Sequence, residues 1–316
     1  MFVSNKLIFL EYEFASSVRV GFEENRIENF FIGRQICSSV HWFSIQIPYR
    51  ILLELTENDI TIKNMKKLGI IGCGWLGNHI AERLSNQYEI FATTTTESKI
   101  KDLESKGYHV TLASFPEVLD PEIKEWEVAP DLDAIIISVP FSGLRGSKIP
   151  ITEKRENLLR FIGDFKGQLF LTSSTGVYPQ EEKEFTEEDQ PGENVESESF
   201  ILKKFPNTNI LRLAGLMGGQ RLLKNYNISN LDQLVNQIHY ADICKVVEKM
   251  LENHSESKVY NVVAPIHPNK EEVINAQKDL PYDGERTTVG RTISPEKLIR
   301  ELNFVFQYPD PRYFHL

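Results

Sequence analysis

Between positions 72 and 77 the chain reads Gly72-Cys73-Gly74-Trp75-Leu76-Gly77, straight after the apolar run Leu68–Ile71 and straight before the helical pattern Trp75–Ser85. No other feature restricts the fold as tightly. The first glycine permits a tight turn, and the second leaves the backbone open to a pyrophosphate. The third lets the helix lie close to the strand, so that the helix's free N-terminal amides face the anion. Alone, a G-x-G-x-x-G is a weak signal. Here it has a strand before it, a helix after it with Leu76, Ile80 and Leu84 on one stripe, and a second strand, Tyr88–Thr93, at the right distance.

The segments beyond it alternate, which is the pattern of an α/β fold: a Rossmann-type doubly wound parallel sheet. Ser98–Ser105 reads as a short helix ending at Gly107, and Thr152–Phe165 as a longer one. Ala134–Val139 is a continuous apolar strand, as expected when both faces of a sheet are covered. Gln168–Ser173 and Asn209–Leu213 read as further strands. After Gly215 the alternation loosens into a smaller α+β portion. The expected division is therefore an extension over 1–64, a dinucleotide-binding domain over 65–215 and a carboxy-terminal portion over 216–316. The extension is rich in Phe, Ile and Tyr, and Ser17–Val20 and Ile45–Leu55 could form strands. Two readings of it stand: a β-rich appendage, or an upstream stretch that contributes little, since Met65 resembles an initiator.

If the glycine loop holds a dinucleotide, the candidate contacts are Gly72, Gly74, Trp75, Leu76 and Gly77 in the loop, and Thr94 and Thr95 after the second strand. To these are added Ser138, Val139 and Pro140 after the apolar strand, and Ser173 at the end of the next. An Asp or Glu at the end of the second strand would bind the ribose 2′-hydroxyl of NAD. This chain has Ala92-Thr93-Thr94-Thr95-Thr96 there and no acid before Glu97. Threonine hydroxyls with Lys99 or Lys101 could receive a 2′-phosphate, which favours NADP over NAD. Cys73 reads as a small filler of the loop.

Charge and cysteine usage narrow the remaining possibilities. With 35 Lys+Arg against 45 Asp+Glu among 316 residues, the formal net charge is −10, which argues against a nucleic-acid partner. Cys37, Cys73 and Cys244 show neither disulfide nor metal spacing, as in a reducing cytoplasm. The strongest apolar run, Ala134–Val139, is far short of the ~20 residues that span a bilayer, and Glu11 and Glu13 interrupt Leu7–Leu10 too soon for a signal peptide. The expectation is a cytoplasmic protein with no membrane partner and an undefined small-molecule substrate.

Several further motifs carry a resemblance. Ser173-Ser174-Thr175-Gly176-Val177-Tyr178-Pro179 resembles the S-S-x-x-V-Y-G signature of extended short-chain dehydrogenases, the sugar-nucleotide epimerases and dehydratases. Leu211–Gly218 and Ile238–Asp242 resemble that family's strand beside the nicotinamide and its late helix start. Trp75-Leu76, Tyr260–Pro268 and Gln307–Pro311 resemble the atypical YeeZ-type branch. The likeness runs from about Met65 to Pro311. It implies a dinucleotide in the cleft and Ser174 at the catalytic-serine position.

The family's redox members use Tyr-x-x-x-Lys, in which lysine lowers the phenol's pKa from ~10 so that it can exchange a proton. No tyrosine of this chain has lysine four residues on: Tyr178 is followed by Glu182, Tyr240 by Cys244 and Tyr260 by Ala264. The stretch from Pro179 to Phe205, where the pair belongs, contains no tyrosine. His239 and His267 are possible substitutes. The plainer readings are a structural His239, with Asp242 capping a helix Ile243–Leu251, and a loop His267. Tyr178 reads as a packing residue and Glu181–Asp189 as a solvated loop edge. Two functions stay open: a dinucleotide-binding protein without redox turnover, or an NADP-dependent oxidoreductase or epimerase with unusual catalytic residues acting on a small or nucleotide-linked substrate.

Overall fold

The structure, a computed structural model, describes residues 7–12, 18–23, 30–36, 39–45, 65–140, 152–189, 195–284 and 290–316. The chain divides into two compact units, Met1–Asn64 and Met65–Leu316. In the first, strands β1 (Leu7–Tyr12), β2 (Val18–Glu23), β3 (Phe30–Ile36) and β4 (Ser39–Ile45) form one antiparallel sheet in chain order. The stretch Val18–Val20 falls in β2, and Ile45 ends β4; the rest of Ile45–Leu55 lies outside the described residues.

The second unit is built on seven parallel strands: β5 (Lys66–Ile71), β6 (Tyr88–Thr94), β7 (His109–Leu112), β8 (Ala134–Ile137), β9 (Gln168–Ser174), β11 (Asn209–Leu213) and β14 (Val259–Val262). Their order across the sheet is β14-β11-β9-β8-β5-β6-β7. Two short parallel pairs accompany it. These are β10 (Glu184–Phe185) with β15 (Thr292–Ile293), and β12 (Gly215–Met217) with β13 (Gln237–His239).

The period of two along each strand divides the core cleanly. Leu68, Ile70, Ala134, Ile136, Phe170 and Leu211 pack on one face with helices Trp75–Leu84 and Tyr240–Glu252. Their neighbours Ile71, Ile135, Ile137, Leu169, Leu171 and Ile210 pack on the other, against helices Thr152–Ile162 and Glu196–Lys204. Such a sheet is doubly wound, and continuous apolar strands are its physical requirement. Leu76, Ile80 and Leu84 form the buried stripe that the sequence predicts.

Three details differ from the sequence reading. The helix from Thr152 stops at Ile162, because Gly163 takes a left-handed φ of 67° and terminates it. The edge strand β7 is absent from the sequence reading; its four residues are only half-buried or exposed and carry no clear alternation. Residues beyond Gly215 supply β14, which pairs with β11 and completes one edge of the sheet.

The chain winds outward from β5 through β6 to β7, then returns to β8 beside β5 and winds the other way. The crevice at the carboxyl ends of β5 and β8 is the topological switch point, where ligands of open α/β sheets bind. Because the sheet and both layers of helices lie within Met65–Leu316, a chain beginning at Met65 is expected to fold by itself. Circular dichroism should record one cooperative thermal transition; an insoluble product would show that the sheet needs residues 1–64.

Candidate functional site

At the switch point the glycine loop is held in one shape by backbone bonds. Gly72 N donates to Thr93 Oγ1 at 2.9 Å, and Cys73 N to the Thr93 carbonyl at 2.7 Å, so the loop is tied to the end of β6. Gly72 takes φ 94°, and a side chain there would meet Val139 at 2.5 Å. A Cβ on Gly77 would stand 2.5 Å from the Gly72 carbonyl oxygen, so only glycine lets the helix come this close. Gly74 is different: a Cβ there would find nothing within 4 Å. The loop is closed on two sides and open on the third.

The open side is a groove of about 220 Å³. Gly72, Cys73 and Gly74 form one wall, Thr93–Thr96, Lys99 and Ala113 a second, and Ser138, Val139 and Pro140 a third. The first intrahelical bond of Trp75–Leu84 runs from Asn78 N to Gly74 O at 3.0 Å. The amides of Trp75, Leu76 and Gly77 therefore have no partner within the helix, and its first turn carries no acid. These groups suit an anion. Burial pushes the Cys73 thiol up to about 11, so no thiolate opposes one.

Of the residues singled out from sequence, Gly72, Gly74, Thr94, Thr95, Ser138, Val139 and Pro140 all line this groove. Thr95 is exposed; Thr94 is buried, and its hydroxyl accepts from Thr96 N at 3.2 Å. The Leu76 side chain belongs to the core, leaving only its amide to face the loop. Trp75 turns its indole toward Tyr240, Arg221 and His79. Ala113 escaped the sequence reading as a groove residue, and so did the role of Thr93 as the loop's anchor. One hydroxyl in a run of four threonines gives no sign that it will accept from a loop amide 21 positions away.

No protein-family model matches the chain. The protein YeeZ of Escherichia coli K12 is 26% identical over 269 residues, spanning 78% of this chain and 98% of YeeZ, and YeeZ of strain O157:H7 matches equally. The similarity to YeeZ runs over nearly the whole length of that protein. Among solved structures it shares its fold with UDP-glucuronic acid 4-epimerase from Bacillus cereus in complex with UDP-glucuronic acid and NAD (TM-score 0.63, 15% identity, 78% of this chain and 96% of that one). The same holds for WbmG of Bordetella bronchiseptica in complex with NAD (0.63, 15%, 80% and 94%) and for a conserved protein of unknown function from Silicibacter pomeroyi (0.60, 18%, 79% and 96%). These likenesses show a shared fold: a seven-stranded parallel sheet with helices on both faces.

In this chain the S-S-x-x-V-Y segment takes part in a network of buried hydrogen bonds. Ser174 is exposed at the end of β9, and its Oγ accepts from Gly176 N at 3.0 Å. Ser173 Oγ donates to Glu198 at 2.6 Å, and Glu198 forms a buried ion pair with Arg212 at 2.8 Å. Arg212 donates in turn to the Tyr178 hydroxyl, which donates to Asn261 Oδ1, both at 2.8 Å. Burial raises the Tyr178 pKa despite the neighbouring guanidinium. Within the acidic stretch Glu187 turns inward to accept from Asn261 N at 2.6 Å; burial raises its pKa as well.

The histidines are structural too. The sequence reading gives the cap of the late helix to Asp242, but the helix begins at Tyr240 and His239 caps it: Nδ1 accepts from Ala241 N at 3.2 Å. Asp242 instead accepts from the amides of Gln307 and Tyr308, fixing the carboxy-terminal segment. His267 Nδ1 lies 3.0 Å from the Val235 carbonyl, in a loop. Burial, with His79 nearby, lowers the His239 pKa from 6.5 to about 4, and the ring stays neutral as its capping role requires.

An unfolded chain would bind this proton first, so the stability contributed by the neutral ring is complete above about pH 6.5 and is lost as pH falls toward about 4. The loss should approach about 3 kcal/mol. Urea unfolding of His239→Asn, which keeps a capping side chain without a titrating ring, should show a flatter pH dependence over this interval than the unsubstituted chain. Parallel profiles would remove His239 as the source.

Proposed function

We propose that the groove at the carboxyl ends of β5 and β8 holds a nicotinamide dinucleotide, NADP in preference to NAD, and that the chain binds it without a tyrosine–lysine proton relay. The single observation that carries the reading is the open space at Gly74 in a loop otherwise locked on both sides. The cofactor's diphosphate would rest on the amides of Trp75, Leu76 and Gly77, beside Gly72 and Gly74. The adenosine ribose would lie along Thr94–Thr96 with Lys99 near its 2′ position, and Ser138, Val139, Pro140 and Ser173 would border the path to the nicotinamide. The NAD named in the epimerase and WbmG structures supports the choice of ligand class.

When bound, the dinucleotide supplies a hydride donor or acceptor; the chain's own residues position it and govern protons. Here the proton side is sparse. Tyr178 is tied to Arg212 and Asn261, His239 is committed to a helix cap, and no Tyr-x-x-x-Lys exists in the sequence. Positioned acid/base catalysis typically contributes ~10²–10⁴-fold, so the reading is of binding without appreciable turnover by that route. A second reading, an NADP-dependent oxidoreductase or epimerase on a small or nucleotide-linked substrate, draws on the exposure of Ser174 at the family's serine position. A hydroxyl without an adjacent base is a weak proton donor.

Gly74→Val should fold, since its Cβ meets nothing, and should lose NADPH binding in a fluorescence titration, because the side chain fills the diphosphate's place. Unchanged affinity would refute the loop assignment. Calorimetry should give NADP at least tenfold tighter binding than NAD, about 1.4 kcal/mol, and Lys99→Gln should narrow that gap; tighter NAD binding would overturn the preference. Absorbance assays of NADPH oxidation with a panel of aldehydes and nucleotide sugars should show no appreciable turnover. Robust turnover abolished by Ser174→Ala would establish the enzymatic reading instead.

A further inference from the structure

The turn that follows β12 lays a cation on the side chain of Trp75, a residue of the glycine loop. Gly218 and Arg221 exchange two backbone bonds, of 2.9 and 3.1 Å, and close a tight turn. Gly218 takes φ 115° and sits so close to His239 and Tyr240 that any side chain would strike their rings. The turn is therefore seated against the start of helix Tyr240–Glu252. From it Arg221 reaches across to Trp75, its guanidinium carbon 4.1 Å from the indole ring centroid. The indole is held in turn by edge contacts with His79 and Tyr240, at 5.1 and 5.7 Å between centroids.

Trp75 is the first residue of the helix that opens at the glycine loop, so Arg221 lies on the side chain of a residue whose amide belongs to the positive end of that helix. A cation there is electrostatically unfavourable unless an anion joins it. Arg83, Arg155, Arg212 and Arg312 each have a carboxylate partner. Among the described residues Arg221 has none within ion-pairing distance, and the helix's first turn contributes no acid. Stacking on an aromatic face suits guanidinium, which is weakly hydrated and keeps its N–H edge free while its plane is covered.

We propose that Arg221, laid on Trp75, is a positioning residue for the dinucleotide's diphosphate: it adds a cation on the Trp75 side, across from Lys99, and joins the turn after β12 to the bound cofactor. This rests on the dinucleotide reading above. Because the diphosphate is common to both cofactors, Arg221 strengthens NAD and NADP binding alike, whereas Lys99 acts at the 2′ position alone.

The test uses the full chain and fluorescence titration with NADPH and with NADH, at low and at high salt, on variants whose thermal melting matches the unsubstituted protein. Arg221→Gln and Arg221→Met should each weaken both cofactors roughly tenfold, the size of one partly screened charge-assisted hydrogen bond, and make binding less sensitive to salt. Arg221→Lys, which keeps the charge but loses the planar stacking group, should fall between the unsubstituted chain and Arg221→Gln. Neutral variants that bind with unchanged affinity and salt dependence would overturn the proposal while leaving the dinucleotide reading intact. So would a loss confined to NADPH, or an Arg221→Lys variant as weak as Arg221→Gln. If the unsubstituted chain bound neither cofactor, the dinucleotide reading would fall first and this proposal with it.

Discussion

The close approach of helix Trp75–Leu84 to strand β5 sets the geometry of everything around the groove. A Cβ on Gly77 would stand 2.5 Å from the Gly72 carbonyl oxygen, so the helix begins close against the strand's end. Its free amides thus point into the crevice between β5 and β8 instead of into solvent. Any larger residue at 77 would push the helix away, and the indole of Trp75 would lose its place against Tyr240 and Arg221. The bonds from Gly72 and Cys73 to Thr93 then fix the loop from the β6 side.

Next to this groove the molecule has committed its polar residues to structure. From Ser173 a continuous chain of bonds runs through Glu198, Arg212, Tyr178 and Asn261 to Glu187. Its central ion pair is almost wholly buried, with side chains 4% and 6% exposed, and breaking one partner of such a pair typically costs about 3–5 kcal/mol. A phenol caught in this way is held, and its raised pKa keeps it protonated. These residues form a bracket joining β9, β11 and β14.

The carboxy-terminal residues are drawn into the same body by equally specific contacts. Asp242 receives two amides from Gln307 and Tyr308, and His239 lies against Tyr308 with ring centroids 3.8 Å apart. The start of helix Tyr240–Glu252 is consequently a junction: it holds the terminal segment on one side and, through Tyr240, the Trp75 indole on the other. A neutral histidine suits that junction, since a charged ring would have to be accommodated among aromatic neighbours.

The sequence alone determined the central architecture, because its signals are local and periodic. Leu68–Ile71, the glycine loop and the stripe Leu76, Ile80 and Leu84 can satisfy their backbone and bury their apolar surface in essentially one arrangement. The same holds for the continuous strand from Ala134. The missing Tyr-x-x-x-Lys was equally legible, since it needs only spacing. Tertiary structure decided what depends on residues far apart in the chain. Thr93 became the loop's anchor by facing Gly72, and β14 joined the sheet through pairing with β11. Capping passed from Asp242 to His239 because distant amides at 307 and 308 claimed the carboxylate. Arg221 reached Trp75 only because Gly218 let its turn settle against His239 and Tyr240. A side chain's partner is chosen by proximity in the folded chain, and no local pattern encodes that distance.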